Sequence, residues 1–258
     1  MSGPGTRGLG QTGAMSLLES WTRGEHEAED GMTRPTYRKG SGPGVIVIHE
    51  LPGLTSKVVE FGDEVVASGF TVVMPHLFGH PEVAVNAGTM AGSWIQVCTS
   101  AEFTKMATGV TTPMATWLRS LARSLHEELG GPGVGALGMC FTGGFALAMM
   151  VDDAVAAPVV AQPAAPFPVG KKRATDLNLS PADTEAVVAR ASTGCQVLGL
   201  RYEKDRASAG RFQRLRELLG ENFIAVEFPG KGHSTLTEQR QETGVDRVLA
   251  FFHEKLAG

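Results

Sequence analysis

Apolar positions along this chain follow two alternating patterns, short uninterrupted runs and stripes spaced three to four residues apart. Residues 45–48 (VIVI) are continuously β-branched, the mark of a strand buried on both faces as in a parallel sheet. Val58, Phe61, Val65 and Val66 then share one helical face, with Gly69 near the helix end. Residues 71–74 (TVVM) read as the next strand, and 114–129 as a helix with Leu118, Leu121 and Leu125 on one side. Residues 134–137 predict a strand, 143–150 a helix, and 154–161 another strand, running out toward Pro163 and Pro166. Ser180-Pro181-Ala182-Asp183 opens a further helix, with serine at the cap, proline at the first position and an acid in the first turn. Residues 196–202 (strand), 207–219 (helix) and 223–228 (strand) follow. A terminal helix then puts Val245, Val248, Leu249, Phe252 and Leu256 on one stripe.

This alternation with short connections predicts a single α/β domain built on a doubly wound, mostly parallel sheet. A polar, β-like stretch at 33–39 precedes it. Residues 76–112 carry the weakest pattern and are expected to form an insertion or lid-like loop over a site. Residues 1–14 (MSGPGTRGLGQTGA) offer almost nothing to bury, so a disordered tail is expected there and the folded domain over 15–258. There is no internal repeat.

Composition narrows the function classes. The chain has 258 residues, 42% hydrophobic and 19% charged, with a net charge of −4. That balance leaves no basic footprint for nucleic acid or an anionic membrane. No apolar run approaches the roughly 18–20 residues of a membrane span, and no charged-then-apolar leader opens the sequence, so a cytoplasmic location is expected. Cys98, Cys140 and Cys195 are odd in number and far apart, which fits reduced thiols better than a disulfide framework. The 33 glycines suit many tight β–α turns.

The chemistry concentrates at 134–150, VGALGMCFTGGFALAMM. A short strand, a glycine-flanked turn and a helix follow one another, with Cys140 at the tip. Such an elbow holds a nucleophile clear of the sheet with a helix N-terminus behind it. A thiolate needs a base to take its proton and an acid to orient that base. In open α/β sheets these lie just past strand ends. Downstream, one strand ends in Glu203-Lys204-Asp205 and the next in Pro229-Gly230-Lys231-Gly232-His233, so the order nucleophile, acid, histidine is kept. Asp205 is the better orienter because Glu203 sits nearer the strand; Glu203 stays an alternative.

GMCFTGG, LRYEKD, KGH and, near the start, VIVIHELPGL together resemble the dienelactone hydrolase family of α/β-hydrolases, in order and spacing from Val45 to the C-terminus. The resemblance implies Cys140 as nucleophile, His233 as base, Asp205 as orienter and Glu50 as the resting partner of the thiol. It further implies the backbone N–H groups of Phe141 and Leu51 as oxyanion hole. A thiol leaves a tetrahedral adduct ahead of an ordinary alkoxide, so the expected substrates are small activated esters, enol lactones or thioesters; no cofactor or metal is expected. Two departures stand out. Thr142 replaces a glycine two residues after the nucleophile. The arginines that hold a substrate carboxylate in the family are missing: there is none between Arg38 and Arg119, and Thr237 follows His233 by one turn. Arg201, Lys231 and Arg240 are the cations available in their place. Trp94, Phe103, Trp117 and Phe167 are candidate pocket residues.

Other patterns weigh less. Cys98 and Cys195 read as small buried hydrophobes. GVGALG at 133–138 fits a dinucleotide fingerprint in letters, but its glycines span a strand instead of opening a helix. His76 and His80 are interrupted by Gly79 and Pro81, which argues against a helical zinc site. Residues 171–173 (KKR) read as a solvated loop. A catalytically silent relative binding a small ligand or a protein, and a redox-sensing thiol protein, are the rival readings.

Overall fold

The structure, a computed structural model, describes residues 16–100, 103, 109–164 and 174–257. The tail expected at 1–14, Pro166, Phe167 and 171–173 lie outside the described residues, as does the side chain of Cys98. Among the described residues eight strands form one sheet: β1 (Thr22–Glu27), β2 (Thr33–Lys39), β3 (Gly44–Ile48), β4 (Thr71–Pro75), β5 (Val134–Met139), β6 (Val155–Ala161), β7 (Val197–Tyr202) and β8 (Phe223–Phe228). Their order is β1-β2-β4-β3-β5-β6-β7-β8. The β1–β2 and β2–β4 pairs are antiparallel, and every other pair is parallel. Seven helices are described: α1 (Ser56–Ala67), α2 (Ala87–Thr99), α3 (Pro113–Leu129), α4 (Gly143–Met149), α5 (Pro181–Ser192), α6 (Arg206–Leu219) and α7 (Glu242–Leu256).

The uninterrupted apolar run of β3 has a direct cause. Val45 and Val47 face a core built with Val58, Phe61 and Val65 of α1 and Val245, Val248 and Phe252 of α7. Ile46 and Ile48 point the other way, into a core shared with Leu118 and Leu121 of α3, Phe145 of α4 and Phe212 of α6. Both faces of the strand are therefore dry, and neither tolerates a polar residue. After β3 the chain moves outward to β4, then returns to lay β5 on the opposite side of β3. Where winding direction reverses, the loops after two neighbouring strands part and leave a crevice. Glu50 follows β3 and Cys140 follows β5, so both stand at this crevice.

Two elements differ from the sequence reading. β1 (TRGEHE) was not expected, because it is almost entirely exposed and carries no apolar period. It exists through its ladder with β2, from Thr22↔Arg38 to Glu27↔Thr33. The weakly patterned 76–112 segment is not a loop throughout, since α2 occupies its centre. Asn86 starts that helix by accepting from the N–H groups of Gly88 and Thr89, while its own N–H donates to Thr89 Oγ1. Two side chains anchor the helix: Ser93 Oγ donates to Pro52 O at 2.6 Å, and Gln96 Oε1 accepts from Gly79 N at 2.9 Å.

Candidate active site

Cys140 sits directly after β5 with φ of 53°, in the left-handed region that L-residues avoid at a cost of about 1–3 kcal/mol. Residues Cys140–Thr142 make a single 3-10 turn before α4 begins. The turn is so tight that a Cβ on Gly138 would lie 2.2 Å from the carbonyl oxygen of Thr142. Thr142, at the place of the expected glycine, fastens the turn. Its hydroxyl accepts from Met139 N at 3.0 Å and lies 2.9, 3.2 and 3.1 Å from the carbonyls of Met139, Ile48 and His49. It is wholly buried and ties the elbow to the end of β3. Ala164 N donates to Cys140 O at 2.9 Å on the other side. The thiol itself is free and half-buried.

His233 follows β8. Its backbone N–H donates to Gln239 Oε1 at 2.6 Å, and its ring Nδ1 lies 2.9 Å from Asp205 Oδ2. Asp205 caps α6: Oδ1 accepts from Ala207 N at 3.0 Å, and Oδ2 accepts from Ser208 Oγ as well as from the imidazole. Burial alone would raise the Asp205 pKa, but the hydrogen bonds from His233 and Ser208 and the charge of the ring outweigh it, so the carboxyl stays below its usual range. Burial would likewise lower His233. Its hydrogen bonds to Asp205 and Cys140, with the Coulombic pull of both groups, instead raise it to about 11. The imidazole is thus coupled to the carboxylate on one side and the sulfur on the other. Glu203 is exposed, and its carbonyl accepts from Arg201 Nη2 at 2.6 Å; Asp205 is the acid that meets the ring.

Glu50 lies buried just past β3, and its carboxylate accepts from the turn after His233 and from Gln162, which follows β6. Ser234 Oγ donates at 2.9 Å, Thr237 Oγ1 donates to the other oxygen, and Gln162 Nε2 donates at 3.3 Å. Burial raises its pKa, opposed by these bonds and by the charge of His233. Gln162, which has a positive φ of 36°, also accepts from Thr235 N and Oγ1 at 3.2 and 2.7 Å. The hydroxyls at 234 and 235, the amide of Gln162 and the contact of Thr237 with Glu50 escaped the sequence reading, since turn residues of these types are common on any surface. Thr237, one turn past His233, donates to Glu50.

Two of the three substitute cations are otherwise engaged. Arg201 contacts Glu227 at 3.0 Å, and Arg240 contacts both Glu64 and Glu242 at 2.7 Å. Lys231 lines a cleft of about 940 Å³ beside the His233–Asp205 pair, together with Lys204 and Arg206. Arg211, overlooked in the sequence, is wholly buried and donates to Asn178 Oδ1. Of the candidate pocket aromatics, Phe103 packs 5.9 Å from the ring of Phe141, the residue after Cys140; Phe78, not among them, packs 6.0 Å from the same ring. Trp94 is half-buried on α2. Trp117 is a core residue: it is fully buried, and its indole N–H donates to His26 O at 3.2 Å. Cys195 is half-buried, its sulfur 3.8 Å from the carbonyls of Val155 and Ala156, with burial raising its pKa. Among the described residues no cluster of three metal-ligating side chains occurs, and His76 Nε2 meets Gly79 O at 3.2 Å.

An eight-stranded, mostly parallel sheet with a strained residue at the turn after β5, and an acid and a histidine after the last two strands, defines an α/β-hydrolase. The dienelactone hydrolase family matches residues 32–254, and the chain belongs to that family. No curated protein matches the chain. Among solved structures it resembles DcsB in complex with its substrate analogue, at 15% identity and a TM-score of 0.62, covering 93% of this chain and 100% of that one. A cold-adapted esterase from an Arctic intertidal metagenomic library is similar at 15% identity and a TM-score of 0.58, covering 97% and 100% of the two chains. A dienelactone-hydrolase-like promiscuous phosphotriesterase from metagenomic libraries is similar at 15% identity and 0.58, covering 92% and 99%. At these identities the likeness is one of fold. Among the described residues no helix is long and apolar enough to cross a membrane.

Proposed function

We propose that this chain is a cysteine-dependent hydrolase of activated carboxylic esters, enol lactones or thioesters, working in the cytoplasm without a cofactor. The observation that carries the reading is His233, held by Asp205 at 2.9 Å and electrostatically coupled to the sulfur of a backbone-strained Cys140. Cys140 Sγ attacks the substrate carbonyl. The oxygen gains negative charge between the N–H groups of Phe141 and Leu51, and collapse of the adduct expels the alcohol, enol or thiol, which takes a proton from His233. A thioester on Cys140 remains. Water, losing its proton to His233, attacks the thioester carbonyl, and the acid leaves with Cys140 restored.

Sulfur narrows the substrate range. A thiol with a pKa near about 8.5 leaves a tetrahedral adduct ahead of an ordinary alkoxide, so simple alkyl esters revert. Enolates, phenolates and thiolates compete as leaving groups. Cys140 packs against a core cluster that includes the rings of Phe78, Phe103 and Phe141, and an apolar neighbourhood of this kind favours a small hydrocarbon acyl or aryl group. The test is turnover of an aryl ester, an enol lactone and an acyl thioester by wild type and Cys140→Ala, with mass spectrometry for an acyl group on Cys140. Hydrolysis by wild type with an adduct, and a loss of at least about 10³-fold in the variant, is expected. Wild type that neither turns over nor acylates overturns the reading.

A further inference from the structure

His49 is invisible from outside the molecule, with no exposed surface, at the end of β3. Leu77 N donates to its Nε2 at 3.0 Å, so that nitrogen carries a lone pair and the ring proton sits on Nδ1. Nδ1 lies 3.1 Å from the carbonyl oxygen of Glu50 and therefore donates to it. Phe78 packs edge-on at 4.4 Å and fixes the ring plane. Burial keeps the ring neutral, with a pKa lowered to about 3, so the arrangement persists throughout the working pH range.

The carbonyl that His49 grips belongs to the peptide unit whose N–H is that of Leu51. We propose that His49 is a positioning residue for the oxyanion hole: by holding Glu50 C=O it aims the Leu51 N–H at the substrate oxygen. In a trans peptide the C=O and N–H point in opposite directions within one plane, so fixing one fixes the other. Donation to the carbonyl also polarises the amide and strengthens its N–H as a donor. The backbone carbonyl of His49 lies 3.1 Å from Thr142 Oγ1, in the turn that carries Cys140 and Phe141. One residue thus joins the two backbone segments that would share the oxyanion, its main chain bonded to the elbow and its side chain to the Leu51 peptide. This inference rests on the hydrolase reading above.

The experiment compares wild type, His49→Phe and His49→Asn in two reactions of the same sulfur. Hydrolysis of a neutral aryl ester builds an oxyanion; alkylation of Cys140 by iodoacetamide, a displacement at saturated carbon, builds none. His49→Phe is expected to lower kcat about 10²-fold, as loss of an oxyanion donor does, with KM little changed and the alkylation rate within about twofold of wild type. His49→Asn, whose amide can donate to Glu50 O, is expected to recover most of that loss. If His49→Phe does not fold, His49→Met, flexible and lacking a donor, takes its place. Equal losses in both reactions, an unchanged kcat, or no recovery in His49→Asn overturns the proposal. Absent ester turnover in wild type would overturn the hydrolase reading instead.

Discussion

Asp205 shows how much a single carboxylate's orientation can decide. Its Oδ1 is committed to the Ala207 N–H, which leaves Oδ2 facing His233 and Ser208. In Asp205→Asn the amide oxygen keeps the helix N–H, and the NH2 turns toward the imidazole. Nδ1 must then accept, the ring proton moves to Nε2, and the base can no longer take a proton from sulfur. We expect kcat to fall by about 10²–10⁴-fold with little loss of stability, read from kinetics beside a denaturation curve. The His233 pKa raised to about 11 has a second consequence. A raised histidine stabilises the fold fully below its unfolded value of about 6.5 and loses that contribution as pH climbs toward the folded one. Wild-type unfolding free energy is therefore expected to decline more steeply than that of His233→Gln between pH 7 and 10. At Gly138, where a methyl group would meet the Thr142 carbonyl at 2.2 Å, alanine is expected to open the elbow and abolish ester turnover. At this scale the placement of Cys140, Asp205 and His233 just past strand ends, and the contact between the last two, was legible in the order of strands along the chain. The hydroxyls around Glu50 were not, since nothing in a serine or threonine within a turn reveals which distant carboxylate it meets.

Elements with a dry face announced themselves. β3, α1, α3 and α7 each bury one clean stripe or run, and their sequence signatures match the packing. β1 and α2 do not, for different physical reasons. β1 is held chiefly by its main-chain ladder with β2, beside the contacts of His26 with Ser120 and Trp117, and backbone hydrogen bonds leave no trace in side-chain pattern. α2 leaves Ile95 65% exposed and is fastened by Ser93 and Gln96, so its apolar stripe is incomplete. Ser93→Ala strips the buried Pro52 carbonyl of its donor. A destabilisation of about 1–2 kcal/mol is expected in chemical denaturation. Should α2 position the loop after Glu50, KM for aryl esters will rise in the same variant.

For the molecule as a whole, the two ionic clusters that could have mimicked an arginine clamp serve the frame. Arg240 bridges Glu64 of α1 and Glu242 of α7 at the surface, and Arg201 joins Glu227 on β8. Arg240→Ala is accordingly expected to leave kcat and KM within about twofold for neutral and anionic esters alike, and to cost under about 1 kcal/mol of stability. The sheet type and its winding were readable from alternation, because every strand-to-helix switch changes the apolar period. Substrate preference was not, because it depends on which cations are already taken.

Tyr202, at the end of β7, donates its hydroxyl to Gln239 O and accepts from Gln241, while Gln239 holds the backbone of His233; Gly232 presses so near the tyrosine ring that a Cβ there would lie 2.5 Å from it. Asp205 leaves the same strand three residues later. His233 and Asp205 are consequently clamped as one prefabricated unit by bonds that do not involve the sulfur. Exchanging Cys140 for serine would hand an oxygen nucleophile to an apparatus already assembled, which makes this scaffold a fair ground for weighing one chalcogen against the other.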